Sequence, residues 1–229
     1  MPKSKNLLVF IVLLFIWSTN QSLVANAASF DRKINEIQRA ISNDNVKEAT
    51  RLLKKIKVAF QGEKGAYSHL VILEIFPDAE VKSCSTFEET FRLAKENSEY
   101  KIVIPITNSS TGPVALIHYL IPKFKLQIYA GHFQKVSHNL LGVKGSKMKD
   151  IKTVRSHAQA LDQAQKFICD NKLVPIISAD TAGSAKFIAE KNDKNESAIA
   201  STLAAKIYNL EILKTKIEDE SGNVTRFLI

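Results

Sequence analysis

The chain has 229 residues, 45% of them hydrophobic, and its 32 Lys and Arg outweigh 23 Asp and Glu for a formal net charge of +9. A basic surplus suits anionic ligands or nucleic acid, but the lysines are scattered and no aromatic-interleaved basic stripe or nucleic-acid motif accompanies them, so a solvated basic surface is expected and no nucleic acid. Cys84 and Cys169 form neither a metal spacing nor a C-x-x-C motif, and the five histidines are dispersed, so no metal and no disulfide are expected.

At the front, Lys3 and Lys5 precede an apolar run from Leu7 to Trp17, a polar stretch, and then Ala25-Asn26-Ala27. This is the order of a secretory signal peptide with a small-residue cleavage site, and the run is short for a membrane span. Residues 1–27 are therefore read as a leader and the product as exported, to the periplasm, with no stable membrane insertion after cleavage. An uncleaved N-terminal anchor and a cytoplasmic chain are the alternatives. Loss of Lys3 and Lys5 with the leader takes the net charge from +9 to +7.

Residues 28–57 read as a helical extension. Ile34, Ile37 and Ile41 recur at helical spacing, as do Val46, Ala49, Leu53 and Ile56, and Asn45 with Glu48 fits an N-cap and its capping-box partner. The segment serves either as a spacer packed on the core or as a contact helix for a partner or second copy.

From Val58 the rhythm changes. Strand-like runs at Val58–Phe60, Val81–Cys84, Ile102–Ile106, Thr153–Val154, Val174–Ile177 and Ala198–Ala200 alternate with helical patterns, notably Ala160–Ile168 and Ala182–Ala189. That alternation predicts an α/β protein with largely parallel sheets. The strand-to-helix junctions are rich in small polar residues: Gly62 to Ser68, Thr107 to Gly112, Ser156-His157, Asp180 to Ser184 and Ser201-Thr202. Each is an ordinary capping site by itself. In open parallel sheets, however, such junctions gather at the carboxyl edge, where they would line a polar cleft. The turn at Gly62 lacks both the phosphate-loop and the dinucleotide fingerprints, and no G-x-S-x-G elbow accompanies the serines. A cofactor-free site for a small acidic molecule remains.

Phe60-Gln61-Gly62-Glu63-Lys64-Gly65-Ala66-Tyr67-Ser68-His69, Ile104 to Ser109, Ser156 to Gln163, Asp180 to Gly183 and Thr225-Arg226-Phe227 occur in the order found in prephenate dehydratases. The chain resembles that family from Val58 to Ile229. The resemblance implies two α/β lobes like those of a type II periplasmic binding protein, with the active site in the inter-lobe cleft. One lobe would hold about residues 58–126 plus the C-terminal strand, and the other about residues 131–213. It also implies the family reaction, conversion of prephenate to phenylpyruvate in phenylalanine biosynthesis, without a cofactor and in a homodimer.

Similarity assigns catalysis to Thr225, Ser156, Asn108 and Gln163. Thr225 would donate to the departing ring hydroxyl as part of a hydrogen-bonded relay, since a lone threonine is a feeble acid. Arg226 would clamp a substrate carboxylate, and Ser109, Thr181, Gly65, Ala66, Tyr67 and Phe227 would shape the binding pocket. His157, beside Ser156, is read as structural. Two departures from the family are expected to matter: Thr107 stands where members usually carry glutamate, and the matched region ends without the ACT domain that many members carry. Arogenate as substrate, or an exported protein that binds a small aromatic or carboxylated ligand without chemistry, are the alternative readings.

Overall fold

The computed structural model describes residues 35–37, 39, 42–43 and 56–229. Expectations for the leader and most of the N-terminal extension lie outside the described residues. Within the extension, 35–37, 39 and 42 are helical and Ile37 is buried. No helix among the described residues is long and apolar enough to cross a membrane.

The first lobe begins with β1 (Lys57–Gln61), whose Val58-Ala59-Phe60 are buried on both faces, as the centre of a parallel sheet requires. It lies between β2 (Glu80–Cys84) and β3 (Tyr100–Ile102). Helix α1 (Tyr67–Ile75) follows β1, and α2 (Phe87–Glu96) follows β2 with Thr86 as a side-chain N-cap. The run Ile102–Ile106 reads as one strand but is two. The chain leaves the parallel sheet at Val103 and enters β4 (Ile104–Asn108) of a second, four-stranded sheet.

That second sheet is antiparallel throughout, in the order β5 (Gly112–Pro113), β4, β12 (Val224–Leu228), β6 (Gly131–Lys135), with α3 (Ala115–Phe124) packed beside β4. The expectation of largely parallel sheets fails here. Its ladder shifts register between Arg226 and Phe227, opposite the Pro105–Ile106 stretch of β4. A proline brings no N–H to a ladder, so an irregularity is the natural place for one. Because β6 pairs with β12, it belongs to the first lobe, and the second lobe starts at Asn139 rather than near residue 131.

The second lobe is one five-stranded sheet in the order β11 (Glu211–Lys214), β7 (Asn139–Gly142), β10 (Glu196–Ala200), β8 (Thr153–His157), β9 (Val174–Ser178). Strands β8, β9 and β10 run parallel, and β7 and β11 close one side antiparallel. Apolar clusters cover both faces, one around Leu140, Val154, Ile168 and Ile199, the other around Leu141, Ala185, Ile188 and Ala204. The remaining helices are α4 (Ala158–Asp162), α5 (Gln165–Asp170), α6 (Thr181–Lys191) and α7 (Thr202–Ile207). Cys84 is buried, Cys169 is exposed, and both are free thiols.

The predicted helix Ala160–Ile168 breaks at Gln163–Ala164, and the cause lies elsewhere in the chain. Asp219 places its carboxylate oxygens 3.0 and 3.2 Å from the Lys166 N–H, while its own N–H donates to the Gln163 carbonyl at 2.7 Å. A carboxylate at a helix start satisfies an otherwise orphaned N–H and favours a new N-terminus there. The break leaves Gln163 at the C-cap of α4, turned toward the segment that carries Asp219.

Two segments cross between the lobes, 136–138 outward and 215–223 back. They run together, with Ile217 N–H donating to the His138 carbonyl at 3.0 Å and Val136 N–H to the Asn223 carbonyl at 2.9 Å. A second junction is made by the turn after β1. There the Gly65 carbonyl accepts from the Ser201 hydroxyl at 2.6 Å, and the Lys64 carbonyl accepts from the Tyr208 hydroxyl at 2.7 Å. Gly65 has φ +98°, and a Cβ on it would stand 2.8 Å from the Ala204 Cα, so glycine is required both by conformation and by close approach.

Candidate active site

The site is built on the start of β12, beside the lobe crossing. Asn223 and Thr225 are two residues apart on an extended chain, so their side chains share a face. Asn108, at the end of β4, is the register partner of Thr225. Its Oδ1 accepts from the N–H groups of Ser110 and Thr111 at 2.9 and 3.2 Å, which fixes the amide and turns Nδ2 toward β12. That Nδ2 donates to Asn223 Oδ1 at 2.6 Å and to Thr225 Oγ1 at 2.8 Å.

The chain of bonds continues into the second lobe. Asn223 Nδ2 donates to Gln163 Oε1 at 2.9 Å, and the same oxygen lies 2.8 Å from His138 Nε2. Five side chains thus join Thr225 to His138 across the lobe junction. Thr225 enters only as an acceptor and makes no donation to any described residue. Its own hydrogen is therefore available to something in the cleft, and the bond it accepts from Asn108 polarises the O–H into a better donor.

Around the second-lobe end, His138 donates its backbone N–H to Glu218 at 2.9 Å, and Ser137 donates its hydroxyl to the same carboxylate at 3.2 Å. The Tyr67 hydroxyl donates to the Ser137 carbonyl at 2.6 Å, and the Tyr67 ring meets the His138 ring edge-on at 6.3 Å. Burial, with Glu218 nearby, pushes the Tyr67 phenol well above its ordinary value, so it remains a donor. Burial also lowers the His138 value, while Gln163 and Glu218 push the other way. The net direction keeps the ring neutral at pH 7.

The structure brings together Thr225, Asn108 and Gln163, with Tyr67 one residue removed and Gly65 and Ala66 at the neighbouring junction. Ser109 supports them from behind: its Oγ accepts from the Val224 N–H at 2.9 Å, and its own N–H donates to the Val224 carbonyl at 2.8 Å. Ala66 is the N-cap of α1 and offers no side-chain acceptor, so the first-turn N–H groups of that helix have no side-chain cap.

Other expected site residues lie apart. Ser156 is buried and donates its hydroxyl to the Ile199 carbonyl at 2.8 Å, which ties β8 to β10. Its neighbour His157 is exposed and caps α4 by accepting from the Gln159 N–H. Thr181 opens α6 directly after the Asp180 cap and has no bond to the Thr225 chain. Phe227 is 2% exposed and packs with Val58, Phe60, Val71 and Val103 in the first-lobe core, so its ring is a wall of the core rather than of a pocket.

Arg226 also lies apart from the Thr225 bonds. Strand alternation turns it to the face opposite Thr225, where it is exposed and lies 5.7 Å from the Phe133 ring, its register partner on β6. Thr107, the register partner of Arg226 on β4, is on that same face, so the expected threonine-for-glutamate departure falls beside Arg226 and not among the Thr225 bonds.

Asn223 and His138 are the residues that motif reasoning misses. Asn223 is signalled by its place two residues before Thr225, which period-2 alternation puts on the same face. His138 and Asn139 are signalled as polar residues set between apolar Val136 and Leu140-Leu141. Among the described residues, no group of three or more His, Cys, Asp or Glu could hold a metal ion. A cavity of 260 Å³ lined by Phe91, Ile102, Ile104, Leu126, Tyr129 and Ile229, among others, lies at the other end of β4 and β12, away from Thr225.

The architecture is a two-lobed α/β fold resembling a periplasmic binding protein, with oriented amide and hydroxyl groups at the lobe junction. Residues 58–229 match the family model described as prephenate dehydratase, and the chain belongs to that family. It is 38% identical over 172 residues to a bifunctional N-acyl-homoserine lactone acylase/prephenate dehydratase of Komagataeibacter europaeus, covering 75% of this chain and 61% of the relative. It is 36% identical over 201 residues to arogenate dehydratase/prephenate dehydratase 1 of Arabidopsis thaliana, covering 88% and 51% respectively. The crystal structure of prephenate dehydratase from Arthrobacter aurescens in complex with L-Phe shares the fold, with a TM-score of 0.70 at 22% identity over 76% of this chain and 59% of that one. The chain thus spans about half to three-fifths of the length of these curated relatives. The matched family takes its name from a dehydratase activity.

Proposed function

We propose that the chain converts prephenate to phenylpyruvate, with arogenate to phenylalanine as the second substrate reading because curated relatives include arogenate dehydratases. The observation that carries the proposal is the Thr225 hydroxyl, which accepts from Asn108 and donates to nothing among the described residues.

In the reaction the bond between the ring and its carboxylate breaks, and that electron pair enters the ring as the ring C–O bond breaks. Carbon dioxide leaves, and the departing hydroxide takes up one proton to become water. Aromatisation drives the change, so the protein's task is to orient the substrate and stabilise the leaving oxygen. Thr225 supplies a directed donor to that oxygen. The N–H groups in the uncapped first turn of α1 supply a place for a carboxylate at the lobe junction. Arg226 is not needed for either role. The lysine-led apolar run and the Ala25-Asn26-Ala27 site support export as part of the same proposal.

The test incubates the purified chain with prephenate, following phenylpyruvate, and with arogenate, following phenylalanine. Turnover by the wild type and its loss in Thr225→Val are expected. Equal inertness of both proteins toward both substrates sinks the proposal.

A further inference from the structure

Only one arrangement of donors satisfies the side chains that run from Thr225 to His138. Two backbone N–H groups hold Asn108 Oδ1, so Asn108 Nδ2 must face β12 and Asn223 must present Oδ1 to it. Asn223 then presents Nδ2 to Gln163, and Gln163 must present Oε1. With that oxygen facing His138 at 2.8 Å, the imidazole has to carry its hydrogen on Nε2. The other tautomer would set a lone pair against the Gln163 oxygen. Turning the Gln163 amide over to relieve it would set two NH₂ groups against each other at Asn223.

The ring is held for this by both lobes. Glu218 and Ile217 grip its backbone from the returning segment, and the Tyr67 ring of α1 stands in an edge-on arrangement with the imidazole. Its Nδ1 is buried and has no hydrogen-bond partner among the described residues, and the residue is only 3% exposed. A buried unpaired nitrogen is a cost that an apolar residue of similar size would avoid. The compensating feature is the donor on the opposite side of the ring.

We infer that His138, in its Nε2–H form, is a positioning residue for the reaction: its donation holds Gln163 Oε1 toward Asn223, and through Asn223 and Asn108 it directs the Thr225 hydrogen into the cleft. Its kinetic consequence rests on the dehydratase reading, whereas the tautomer does not. The groups that could alter its charge are Glu218 on the returning segment and Tyr67 on α1.

The experiment has a spectroscopic and a kinetic arm on the full chain. Nitrogen-15 NMR of the histidines in the wild type, above the ordinary histidine titration range, is expected to show His138 with its hydrogen on Nε2. His138→Leu is expected to lower kcat about 10- to 100-fold with KM nearly unchanged, the signature of misorientation rather than lost binding. His138→Gln, whose Nε2 can stand where the imidazole Nε2 stands, should restore kcat to within about threefold of wild type. His138→Leu combined with Gln163→Leu should be no slower than the worse single variant, because the two act as one unit.

A hydrogen on Nδ1 overturns the inference whatever the turnover. So does a His138→Leu enzyme with wild-type kcat, a His138→Gln enzyme as slow as the leucine variant, or losses that multiply. An Nε2–H spectrum in a chain inert toward both substrates overturns the dehydratase reading and leaves the hydrogen-bond assignment standing.

Discussion

The two faces of β12 carry adjacent residues with opposite fates. On one face Asn223 and Thr225 are buried, and Asn108 Nδ2, both amide atoms of Asn223 and Thr225 Oγ1 each have a hydrogen-bond partner. On the other, Arg226 is exposed beside Phe133 and Thr107. Thr225-Arg226 looks like a donor and a carboxylate fork in one place when read as text. A strand separates successive side chains by about half a turn, so a functional pair on a strand is to be sought at i and i+2. Asn223 and Thr225 stand at that spacing and share the Asn108 amide as donor.

The strongest challenge to this contrast is Thr225→Val, which keeps shape and removes the hydroxyl. We expect kcat to fall about 100- to 1,000-fold in the phenylpyruvate assay, the scale of losing one oriented donor. A fall of less than tenfold would mean that the buried face is not where the leaving oxygen is met.

Gln163 sharpens the comparison by testing whether the second lobe contributes to the buried face. Gln163→Leu cuts the bonds to both Asn223 and His138 and should cost about 10- to 100-fold in kcat. Gln163→Glu keeps an acceptor for both and should cost less. The reverse order would show that acceptance at Oε1 is not what the site uses.

Gly65→Ala probes the other lobe junction. The added Cβ would meet the Ala204 backbone, and φ +98° disfavours any side chain. A loss of about 1–3 kcal/mol in urea unfolding is expected. An unchanged midpoint would mean that the turn after β1 is not held against α7 in solution.

On the exposed face, Arg226→Gln should leave kcat and KM within about threefold of wild type, since surface side chains away from a site are worth little. A loss as large as that of Thr225→Val would erase the distinction between the faces.

The smallest effect expected is on stability with pH. His69 and His138 both have values lowered by burial in the folded chain, so the unfolded chain binds protons first as pH falls. Their contribution is complete above the ordinary histidine range of about pH 6.5 and declines as pH drops through it toward the lowered folded values. The urea midpoint should therefore fall between about pH 7 and pH 5, and less so in His138→Gln.

Much of the parallel framework was legible because short strand-like runs alternate there with helical patterns: β1, β2, β8, β9 and β10 stand where such runs occur. The antiparallel sheet was not. Strand β6, Gly131–Lys135, alternates exposed and half-buried residues with glycine and charge, and β5 has two residues, so neither gives a periodic signal. The split of Ile102–Ile106 between two sheets leaves no mark in an unbroken apolar run. The helix break at Gln163 depends on Asp219, more than fifty residues away, which no local window contains.

Of the residues the motifs select, Thr225, Asn108 and Gln163 stand in one hydrogen-bonded chain, whereas the Ser156 hydroxyl goes to the Ile199 carbonyl, a destination that motif matching does not reveal.

The Asp219 cap has a further consequence. The same short returning segment that ties itself to α5 through Asp219 also carries Asn223 and leads into Thr225. Parting Gln163 from Asn223 would cut the bond that crosses the lobe junction while the Asn108–Thr225 bond stays within the first-lobe sheet, so that one crossing bond reports directly on how the two lobes meet.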